Sequence, residues 1–575
     1  MAKDERYDVI IIGAGHNGTT TAAYLAKCGL SVLVLEERPE GGGAQETCEP
    51  IAGVRIQPHA IGNYGGSAPG WEQLELWKYG FRMDHDPRYE VPFDTGRGPM
   101  TREGTLQVGE EDQMGWAKIT GLLGEPNFHK ELLRATFWTP PHPTYIENDE
   151  NTIPYMQVYK QYSPDLWTKE LLEYTMFDFM DQHIKSEAFK VFQAYIANVS
   201  GAFGHFPGVA VPAVECVATV LPPAVPKPVA SRGNMHGYYH ALFRCAVANG
   251  AVIRTCCPVE EILIENGRAV GVRLRDDATL ANKKIYANKA VISGAHIKPT
   301  FLNLIGAKNL DAGFLQKIKN LSLKGGSLYM THFLTKEEFR YRPQYLWPTH
   351  EVFNGGFYCM ENMEIYWKNL ECVLGRQENL DIPPDEAMWG MVGANNYHES
   401  QPQCTREGYY VNGPLWMMVP TPEYNADGAL AMDKTPEDKK KWDDYMVQTL
   451  SCIVENADYD NIVKIWSDSP WGQEFRNTGM LGGSWYGTRC DRDEWWNERP
   501  VAELARYRVP DIEGLYLCHQ SAAHPGGLCL MAVGYNLMHV LIEDGICEPG
   551  PWWYASPWYI PEEGKISAVP GQGKV

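Results

Sequence analysis

Three glycines and one acid near the start of the chain have the types and spacing needed to hold a nucleotide ligand. Gly13, Gly15 and Gly18 follow a β-branched run, and Glu36 closes the next apolar run. Gly13 permits a tight turn, Gly15 lets backbone N–H groups approach a diphosphate, and Gly18 lets a helix pack close to a sheet. A carboxylate at position 36 can accept hydrogen bonds from both hydroxyls of a ribose, and it would repel a 2′-phosphate. We therefore expect a dinucleotide with an unphosphorylated adenosine ribose; the alternative is an ordinary βαβ turn without a ligand.

The elements that must position these residues form a strand, a helix and a second strand. Residues 8–12 are typical of a buried parallel strand. Residues 19–28 are rich in good helix formers, and Gly29 follows as a stop signal. Residues 31–35 form the second apolar run. The glycine motif is informative because it lies within this frame.

A second glycine cluster follows directly. Gly41, Gly42 and Gly43 lie on a loop, where they permit another close approach of backbone to a ligand; a plain surface turn is the alternative. Much later, residues 235–250 predict a helix, and residues 252–255 predict a strand.

The nucleotide-binding pattern continues in two later parts of the chain. A hairpin is predicted to turn at residues 265–267, and the next strand ends in small residues around Gly294, past which a cofactor can lie. In the last third, residues 515–518 predict a strand and residues 531–542 a helix. This helix start follows a Gly-Gly loop and could stabilise negative charge on a ligand.

Composition limits the classes of function. The chain has 575 residues, 44% of them apolar, and a formal net charge of -21 spread along its length. This charge argues against a nucleic-acid partner and disfavours an anionic membrane surface, although peripheral membrane contact stays open. Because no apolar stretch reaches about 18 residues and no signal peptide is recognised, we expect a soluble, cytoplasmic protein.

Cysteine and histidine patterns predict no metal site. The 14 cysteines include no C-x-x-C pair, and Cys256 and Cys257 are expected to be free thiols, with a vicinal disulfide as the alternative. His236 and His240 share a helix face, but the sequence shows no carboxylate or third histidine to complete a metal set.

Five segments carry a family resemblance. They occur in the order seen in FAD-dependent oxidoreductases of the phytoene desaturase-like group, which are related to the carotenoid desaturases. The resemblance is strongest to the mitochondrial branch named for a pyridine nucleotide-disulphide oxidoreductase domain. The segments are VIIIGAGHNGTTTAAYLAKCGLSVLVLEER, GGAQET, VEEILIENGRAVGV, VISGA and GLYLCHQSAAHPGGLCLMAVGYN.

The resemblance implies an α/β fold: a glutathione-reductase-type, FAD-binding Rossmann domain built from discontinuous segments, with an inserted α+β substrate-binding domain. The implied FAD-binding segments are residues 1–66, 229–309 and 477–550. The substrate domain would comprise residues 67–228, which are helix-rich and include Ser163 as a predicted helix cap, and residues 310–476. Residues 551–575 form an aromatic, proline-rich tail that could cross a neighbouring subunit, in a homo-oligomer, or its own chain.

The resemblance also implies which residues hold FAD. Gly13, Gly15 and Gly18 would bind the diphosphate and Glu36 the adenosine ribose. The remaining implied cofactor residues lie along the ribityl chain, the flavin ring, the adenine or the strand beside them: Gly42, Gly43, Ala44, Val259, Gly294, Gly526 and Gly527. The sequence departs from the family at two places. Ala44 replaces an arginine common in the carotenoid enzymes, and His519 replaces a glycine, which puts the usual backbone approach to the cofactor there in doubt.

The reaction implied is removal of a hydride from a C–H bond of a hydrophobic substrate by an FAD-dependent dehydrogenase or oxidase. A double bond would be introduced into the substrate, and it could lie next to a carbonyl group. Oxygen or a quinone would be the electron acceptor. A redox-neutral polyene isomerase, a flavin-retaining binding or assembly factor, and an amine oxidase are alternatives. His524, His59 and Tyr64 are candidates for handling a proton, and a structural hydrogen-bonding role is equally open for each.

Overall fold

The computed structural model describes most of the chain. The described residues are 5–60, 69–81, 97–125, 127–142, 150–151, 153–220, 234–323, 326–346, 355–392, 407–421, 432, 435–484, 486–489, 494, 496–526 and 531–562.

Strands build two large sheets and one small one within these residues. In chain order the strands are β1 (Arg6–Ile12), β2 (Val32–Leu35), β3 (Cys48–Ile51), β4 (Val54–Ile56), β5 (Arg97–Thr101), β6 (Gly104–Gln107), β7 (Val252–Arg254), β8 (Val259–Glu265), β9 (Arg268–Leu274), β10 (Lys284–Ser293), β11 (Ser327–Thr335), β12 (Gly355–Tyr358), β13 (Trp389–Val392), β14 (Tyr410–Val419), β15 (Ile462–Asp468) and β16 (Leu515–Leu517).

Helices connect and cover the sheets. They are α1 (His16–Lys27), α2 (Pro69–Gln73), α3 (Glu110–Ile119), α4 (Phe128–Phe137), α5 (Pro154–Tyr162), α6 (Met176–Met180), α7 (Glu187–Ser200), α8 (Ala210–Val220), α9 (Asn234–Ala248), α10 (Ile297–Pro299), α11 (Ala312–Asn320), α12 (Met363–Val373), α13 (Pro436–Ser451), α14 (Pro470–Arg476) and α15 (Ala532–Glu543). Among the described residues, no helix combines the length and the apolar composition needed to cross a membrane.

The first sheet is the nucleotide-binding one, and it is discontinuous in sequence. Its parallel strands run in the order β7-β2-β1-β10-β16, and the β8–β9 hairpin pairs antiparallel with the first half of β10. The strands of this core are buried on both faces, as their continuous apolar runs predict. The predicted α/β class and the assembly of a Rossmann-like sheet from separated segments are confirmed.

The carboxyl ends of the parallel strands meet at one edge. Ile12 is in register with Leu35 on one side and with Ser293 on the other. Because the chain leaves β1 toward β2 and later returns to its other side with β10, the direction of strand order reverses beside β1. Ligands of parallel α/β sheets bind at such a point.

The second sheet belongs to the inserted segments. Its order is β15-β11-β14-β13-β12-β5-β6, antiparallel except where β12 pairs with β5. All nine residues of β11 are buried, and β14 is buried after its first residue. This sheet and helices α3 to α8 form the mixed α+β part that the sequence predicts between the nucleotide-binding segments.

One local prediction in this part is wrong. Ser163 does not cap a helix start; it follows the last residue of α5. The capping residues are Thr168 and Thr175, and the hydroxyl of Thr175 accepts a hydrogen bond from the Asp178 N–H in a capping box. Each threonine starts a new short helix, because its hydroxyl accepts a hydrogen bond from an N–H group of the first turn.

The described part of the aromatic tail packs on its own chain. Trp552 stacks on Tyr24 of α1 at 6.0 Å between ring centroids, and Trp553 lies 5.0 Å from Tyr535 of α15. The indole N–H of Trp558 donates to Glu131 of α4 at 2.7 Å. The described part of the tail therefore crosses the nucleotide-binding helices and the inserted part of its own chain.

Candidate dinucleotide site

The edge of the sheet is built from close backbone contacts that require glycine. Gly13 has a φ of +92°, and its N–H donates to the Leu35 carbonyl at 2.7 Å. The Gly294 N–H donates to the Ile12 carbonyl at 2.7 Å. A Cβ added to Gly294 would lie 2.7 Å from the Ile12 oxygen, closer than real Cβ contacts. Glycine at 294 therefore keeps β1 and β10 in contact where the strands end.

The N-terminus of α1 faces a space that is bordered by glycine backbone rather than by side chains. Gly15 is the N-cap, and no side chain caps the helix. A Cβ added to Gly15 would have only the Cα of Gly43 within 4 Å, at 4.0 Å. A Cβ on Gly18 would lie 2.2 Å from the Gly13 carbonyl oxygen, so α1 packs against the turn as closely as glycine allows. The first N–H groups of α1 and the partial positive charge of its N-terminus are therefore available to an anion.

The second glycine cluster lies beside this turn. The Gly42 N–H donates to the Ala14 carbonyl at 2.8 Å, and Gly15 and Gly42 form an isolated parallel bridge. Gly42 and Gly43 have φ values of +113° and +57°, which favour glycine. The loop thus runs along the turn and lines the same cavity.

Glu36 is oriented by backbone groups. Its two carboxylate oxygens accept hydrogen bonds from the Ala14 N–H at 2.7 Å and the Arg38 N–H at 2.9 Å. Burial raises the pKa of Glu36, although both hydrogen bonds favour its charged form. Each oxygen keeps a further lone pair, so the carboxylate can still accept hydrogen bonds from ribose hydroxyls.

A cavity of about 410 Å³ joins these features. Eight of the residues that the sequence predicts for the cofactor line it: Gly13, Gly15, Gly18, Glu36, Gly43, Ala44, Val259 and Gly294. Gly42 does not line the cavity, and a Cβ added to it would lie 3.3 Å from the ring of His236. Gly526 is absent from the lining, and Gly527 lies outside the described residues.

Several cavity residues were missed by sequence reasoning. His16 and Asn17 lie between the motif glycines, both buried, and within the described chain neither His16 Nε2 nor Asn17 Oδ1 has a hydrogen-bond partner. Burial lowers the pKa of His16 to about 4, so the ring is neutral. Polar side chains between the glycines of a buried motif were the available signal. The other missed lining residues include Arg38, Arg275, His296, Asn477, Thr478, Gly479 and Gln520.

His519, at the position where the family resemblance implies a glycine, lines the cavity. Its Nδ1 lies 2.7 Å from the Ser521 hydroxyl. Burial, together with nearby His296 and His16, holds the pKa of His519 well below its ordinary value. A neutral imidazole therefore lies at this edge of the site.

A buried arginine holds the loop after β16. The Arg499 guanidinium donates to the carbonyls of Gln520 at 2.7 Å and Tyr486 at 2.8 Å, and to Ala523 at 3.4 Å. Gly526 has a φ of +89°, and an added Cβ would lie 3.0 Å from Arg499 Nη2. Arg499 thus fixes the path of the loop that leads to α15.

The three candidate proton-handling residues lie in different places. His524 is fully buried, and its Nε2 lies 2.8 Å from the Thr136 carbonyl of α4, which fixes the proton on that nitrogen. Burial lowers the pKa of His524 to about 3. Tyr64 lies outside the described residues.

His59 lies near the glycine loop. The Ala60 N–H donates to the Ala44 carbonyl at 3.1 Å, which places this segment beside the cavity. His59 Nε2 is 3.5 Å from Glu46 Oε1, and neither ring nitrogen has a hydrogen-bond partner among the described residues. Burial, and then Arg476 and Arg38, hold the pKa of His59 well below its ordinary value.

Charged residues form a buried network around Glu46. Arg476 Nε lies 2.7 Å from Glu46 Oε1, and Arg476 Nη2 lies 2.5 Å from Asp468. Arg38 is paired with the other oxygen of Glu46. Because Arg38 also lines the cavity, this network links the nucleotide end of the site to β15 of the second sheet.

The residues present fit the adenosine and diphosphate parts of a dinucleotide. The uncapped helix start, the backbone cradle that a Cβ would fill, and the buried ribose acceptor converge on one cavity at the switch point of a parallel sheet. This combination defines a dinucleotide-binding protein of the Rossmann class.

Comparison with known families identifies the dinucleotide. Residues 8–133 match the family model described as FAD dependent oxidoreductase, and residues 225–320 match the model described as GMC oxidoreductase. The chain is an FAD-dependent oxidoreductase, and its cofactor is FAD.

Full-length relatives are similar at low identity. The chain is 24% identical to the pyridine nucleotide-disulfide oxidoreductase domain-containing protein 2 of Rattus norvegicus, with 94% of both chains covered. It is 22% identical to one of the subunits of the limonene dehydrogenase of Castellaniella defragrans, covering 96% of this chain and 97% of that protein.

Solved structures share the fold. A putrescine oxidase variant redesigned in cofactor binding superposes with a TM-score of 0.55 at 16% identity, covering 94% of this chain and 99% of the other. An oxidoreductase from Methanosarcina mazei gives a TM-score of 0.52 at 17% identity, covering 93% and 100%. The fold is therefore amine-oxidase-like: a Rossmann-like sheet from discontinuous strands with a separate mixed sheet.

Proposed function

We propose that this FAD-dependent oxidoreductase is a dehydrogenase or oxidase that introduces a double bond into a small or medium-sized hydrophobic substrate. FAD, when bound, accepts a hydride from a substrate C–H bond. The protein must then bind an apolar molecule, orient one C–H bond and exclude water. Oxygen or a quinone is proposed as the final electron acceptor.

The observation that carries this proposal is the uncharged pair of central strands, β11 and β14, in the second sheet near the glycine loop. His332 of the fully buried β11 lies beside the segment that precedes Ala60, with its Nε2 3.4 Å from the Gln57 N–H. Neither β11 nor β14 contains a carboxylate, a lysine or an arginine, and His332 is their one imidazole. These two strands would offer an apolar substrate a surface without a charged partner for an ammonium group; the carboxylate beside them, Asp468 of β15, is already paired with Arg476.

The similarity to the limonene dehydrogenase chain supports the same substrate class. The name of that protein refers to an apolar terpene and to dehydrogenation, and the similarity extends over nearly the whole of both chains. The fold is also shared with putrescine oxidase and cyclohexylamine oxidase, so an amine oxidase activity has to be tested beside the proposed one.

We propose His59 as the group that handles a proton. It is neutral, it is adjacent to the segment bonded to Ala44, and its ring nitrogens keep an accepting lone pair. Glu46, 3.5 Å away, would stabilise the charge of the ring after it takes up a proton. Since the pKa of His59 is depressed, the best substrates would have a C–H bond acidified by a neighbouring carbonyl group. His524, with Nε2 bound to Thr136, remains the second candidate.

The test is anaerobic mixing of the oxidised holoprotein with four probes: a cyclic monoterpene, a linear polyene, a saturated ketone and a diamine. Bleaching of the flavin absorbance by an apolar probe, with the desaturated product found in matching amount, supports the proposal. Bleaching by the diamine alone would replace it with amine oxidation. Product formed only after prior reduction, without net bleaching, would identify an isomerase, and no change with any probe would favour a binding or assembly role.

A further inference from the structure

A carboxylate and two imidazoles that are distant in sequence converge outside the dinucleotide cavity. His236 and His240 lie one turn apart on α9, and Glu40 begins the glycine loop. His236 Nε2 is 2.7 Å and His240 Nε2 3.8 Å from the same Glu40 oxygen. One donor atom of each residue lies within 4.8 Å of the others. No pattern near the two histidines points to this carboxylate because it belongs to a loop almost two hundred residues away.

The hydrogen bonds of His236 make its environment unusual. Its Nδ1 lies 3.0 Å from the Gln45 carbonyl, and its Nε2 lies 2.7 Å from the Glu40 carboxylate. Both nitrogens therefore face oxygen atoms that can only accept. A metal ion bound at Nε2 would also be in reach of the Glu40 carboxylate, while the Nδ1–H stays bonded to the Gln45 carbonyl.

His240 is placed to act as a second imidazole ligand. Its ring is 4.5 Å from that of His236, and its Nε2 approaches the same carboxylate oxygen. One metal ion at this place could bind both imidazoles and the carboxylate. When Nδ1 of a metal-binding histidine donates to a backbone carbonyl, as His236 does to Gln45, Nε2 is held in the ligating orientation.

We propose that Glu40, His236 and His240 bind a divalent transition-metal ion of the zinc class. Tetrahedral zinc, with bonds of about 2.0–2.2 Å, places its ligand atoms about 3.3–3.5 Å apart. The two distances to Glu40, 2.7 and 3.8 Å, lie on either side of this value. Imidazole nitrogen and carboxylate oxygen suit zinc, cobalt or nickel better than calcium or magnesium.

The surroundings leave room for the ion and for water as a further ligand. The side chain of His236 is 11% exposed, that of His240 41%, and that of Glu40 63%. An ion can therefore enter from solvent without breaking the core. The carboxylate would balance part of the charge of the ion, and the exposure of Glu40 and His240 keeps the desolvation cost low.

The metal site would link α9 to the glycine loop, which lines the dinucleotide cavity. A Cβ on Gly42 would lie 3.3 Å from the ring of His236, and the Gly42 N–H is bonded to Ala14 of the nucleotide turn. Holding Glu40 against α9 would restrict the glycine loop from its first residue. Metal binding is thus expected to slow the loss of FAD without contributing to the reaction itself.

The experiment uses tag-free holoprotein that has been treated with a chelator and desalted. Isothermal titration with ZnCl₂ is expected to show one ion per chain with low-micromolar or tighter affinity. His240→Gln and Glu40→Gln should each weaken zinc binding by at least about 10- to 100-fold, the loss that follows from removing an outer-shell partner alone. Glu265→Gln, at the exposed tip of the β8–β9 hairpin, and His183→Gln are matched controls that should bind zinc as the wild type does.

A second measurement follows FAD release by its fluorescence after dilution. Zinc is expected to slow release from the wild type and from both controls, but not from His240→Gln. Zinc binding of wild-type affinity in both His240→Gln and Glu40→Gln, or no binding in the wild type, would overturn the proposal. In that case the contact between Glu40 and His236 is an ordinary hydrogen bond. Neither result depends on the proposed reaction, because binding and release are measured without substrate.

Discussion

Gly15→Ala separates the folding role of the first glycine motif from its ligand role. Gly15 has extended backbone angles of φ −65° and ψ 172°, which alanine adopts without strain. The nearest atom to an added Cβ is 4.0 Å away. The apoprotein should therefore lose only the difference between glycine and alanine at a helix N-cap, about 1 kcal/mol or less.

FAD binding should change far more. The new methyl group would occupy the space through which a diphosphate reaches the free N–H groups of α1. Hydrogen bonds to a charged group contribute roughly 1.5–3 kcal/mol each. Losing two of them costs about 3–6 kcal/mol, which weakens the FAD dissociation constant by about 10²- to 10⁴-fold.

Two further variants complete the comparison. Gly109 caps α3 with φ −63° and ψ 151°, and an added Cβ meets nothing within 4 Å, so Gly109→Ala reproduces the cap change away from the site. Gly18→Ala places Cβ 2.2 Å from the Gly13 oxygen and should lower both FAD affinity and the stability of the apoprotein, by about 1–3 kcal/mol.

The measurements are FAD titration of apoprotein by fluorescence quenching and urea unfolding of the same apoprotein. Wild-type FAD affinity in Gly15→Ala would refute the placement of the diphosphate. A loss of apoprotein stability in Gly15→Ala much larger than in Gly109→Ala would refute the claim that the position is sterically open.

The remaining predictions concern pH, the proton-handling residue and the tail. Burial lowers the pKa of His332, His524 and His539 to about 3, whereas histidine in the unfolded chain has a pKa near 6.5, so only the unfolded chain binds these protons at intermediate pH. The free energy of unfolding should therefore fall as pH drops below about 6.5, by about 1.4 kcal/mol per pH unit for each histidine. A urea midpoint that stays constant from pH 7 to pH 5 would contradict this prediction. His59→Asn should slow anaerobic flavin reduction at least about 100-fold with FAD content unchanged. His524→Asn disturbs the hydrogen bond to Thr136 and should mainly lower the free energy of unfolding, by about 1–3 kcal/mol. Equal reduction rates in wild type and His59→Asn would remove His59 from the mechanism, and slow reduction in a stable His524→Asn would assign the role to His524. Trp553→Ala should lower the free energy of unfolding by about 3–5 kcal/mol because the ring is buried against Tyr24, Tyr535 and His539; calorimetry of Trp553→Ala beside Trp471→Ala, at a more exposed position, measures the difference.

The nucleotide-binding frame could be predicted because its signals are local. The glycines of the first turn, the apolar period of β1 and the stop at Gly29 all fall within one short stretch, and the β8–β9 hairpin has its turn residues in sequence. Such patterns depend on backbone geometry, which neighbouring residues determine.

The rest depends on contacts between distant segments. Glu40 meets α9, and Arg499 meets the loop after β16, only after the sheets are assembled. Ser163 failed as a cap because Thr168 and Thr175 start helices of their own a few residues later, and cap preference alone does not rank several nearby candidates. No local sequence pattern predicts these arrangements.

The order of strands in the first sheet has a consequence for biosynthesis. β16 begins only at Leu515, yet it pairs with β10, and Gln520 lies on the same cavity as Gly13. A ribosome therefore has to translate past Gln520 before the pocket wall is complete. FAD is expected to be captured only after β16 has been made, and at that point α1 still lacks the α15 surface and the Trp552 ring on which it rests in the folded protein.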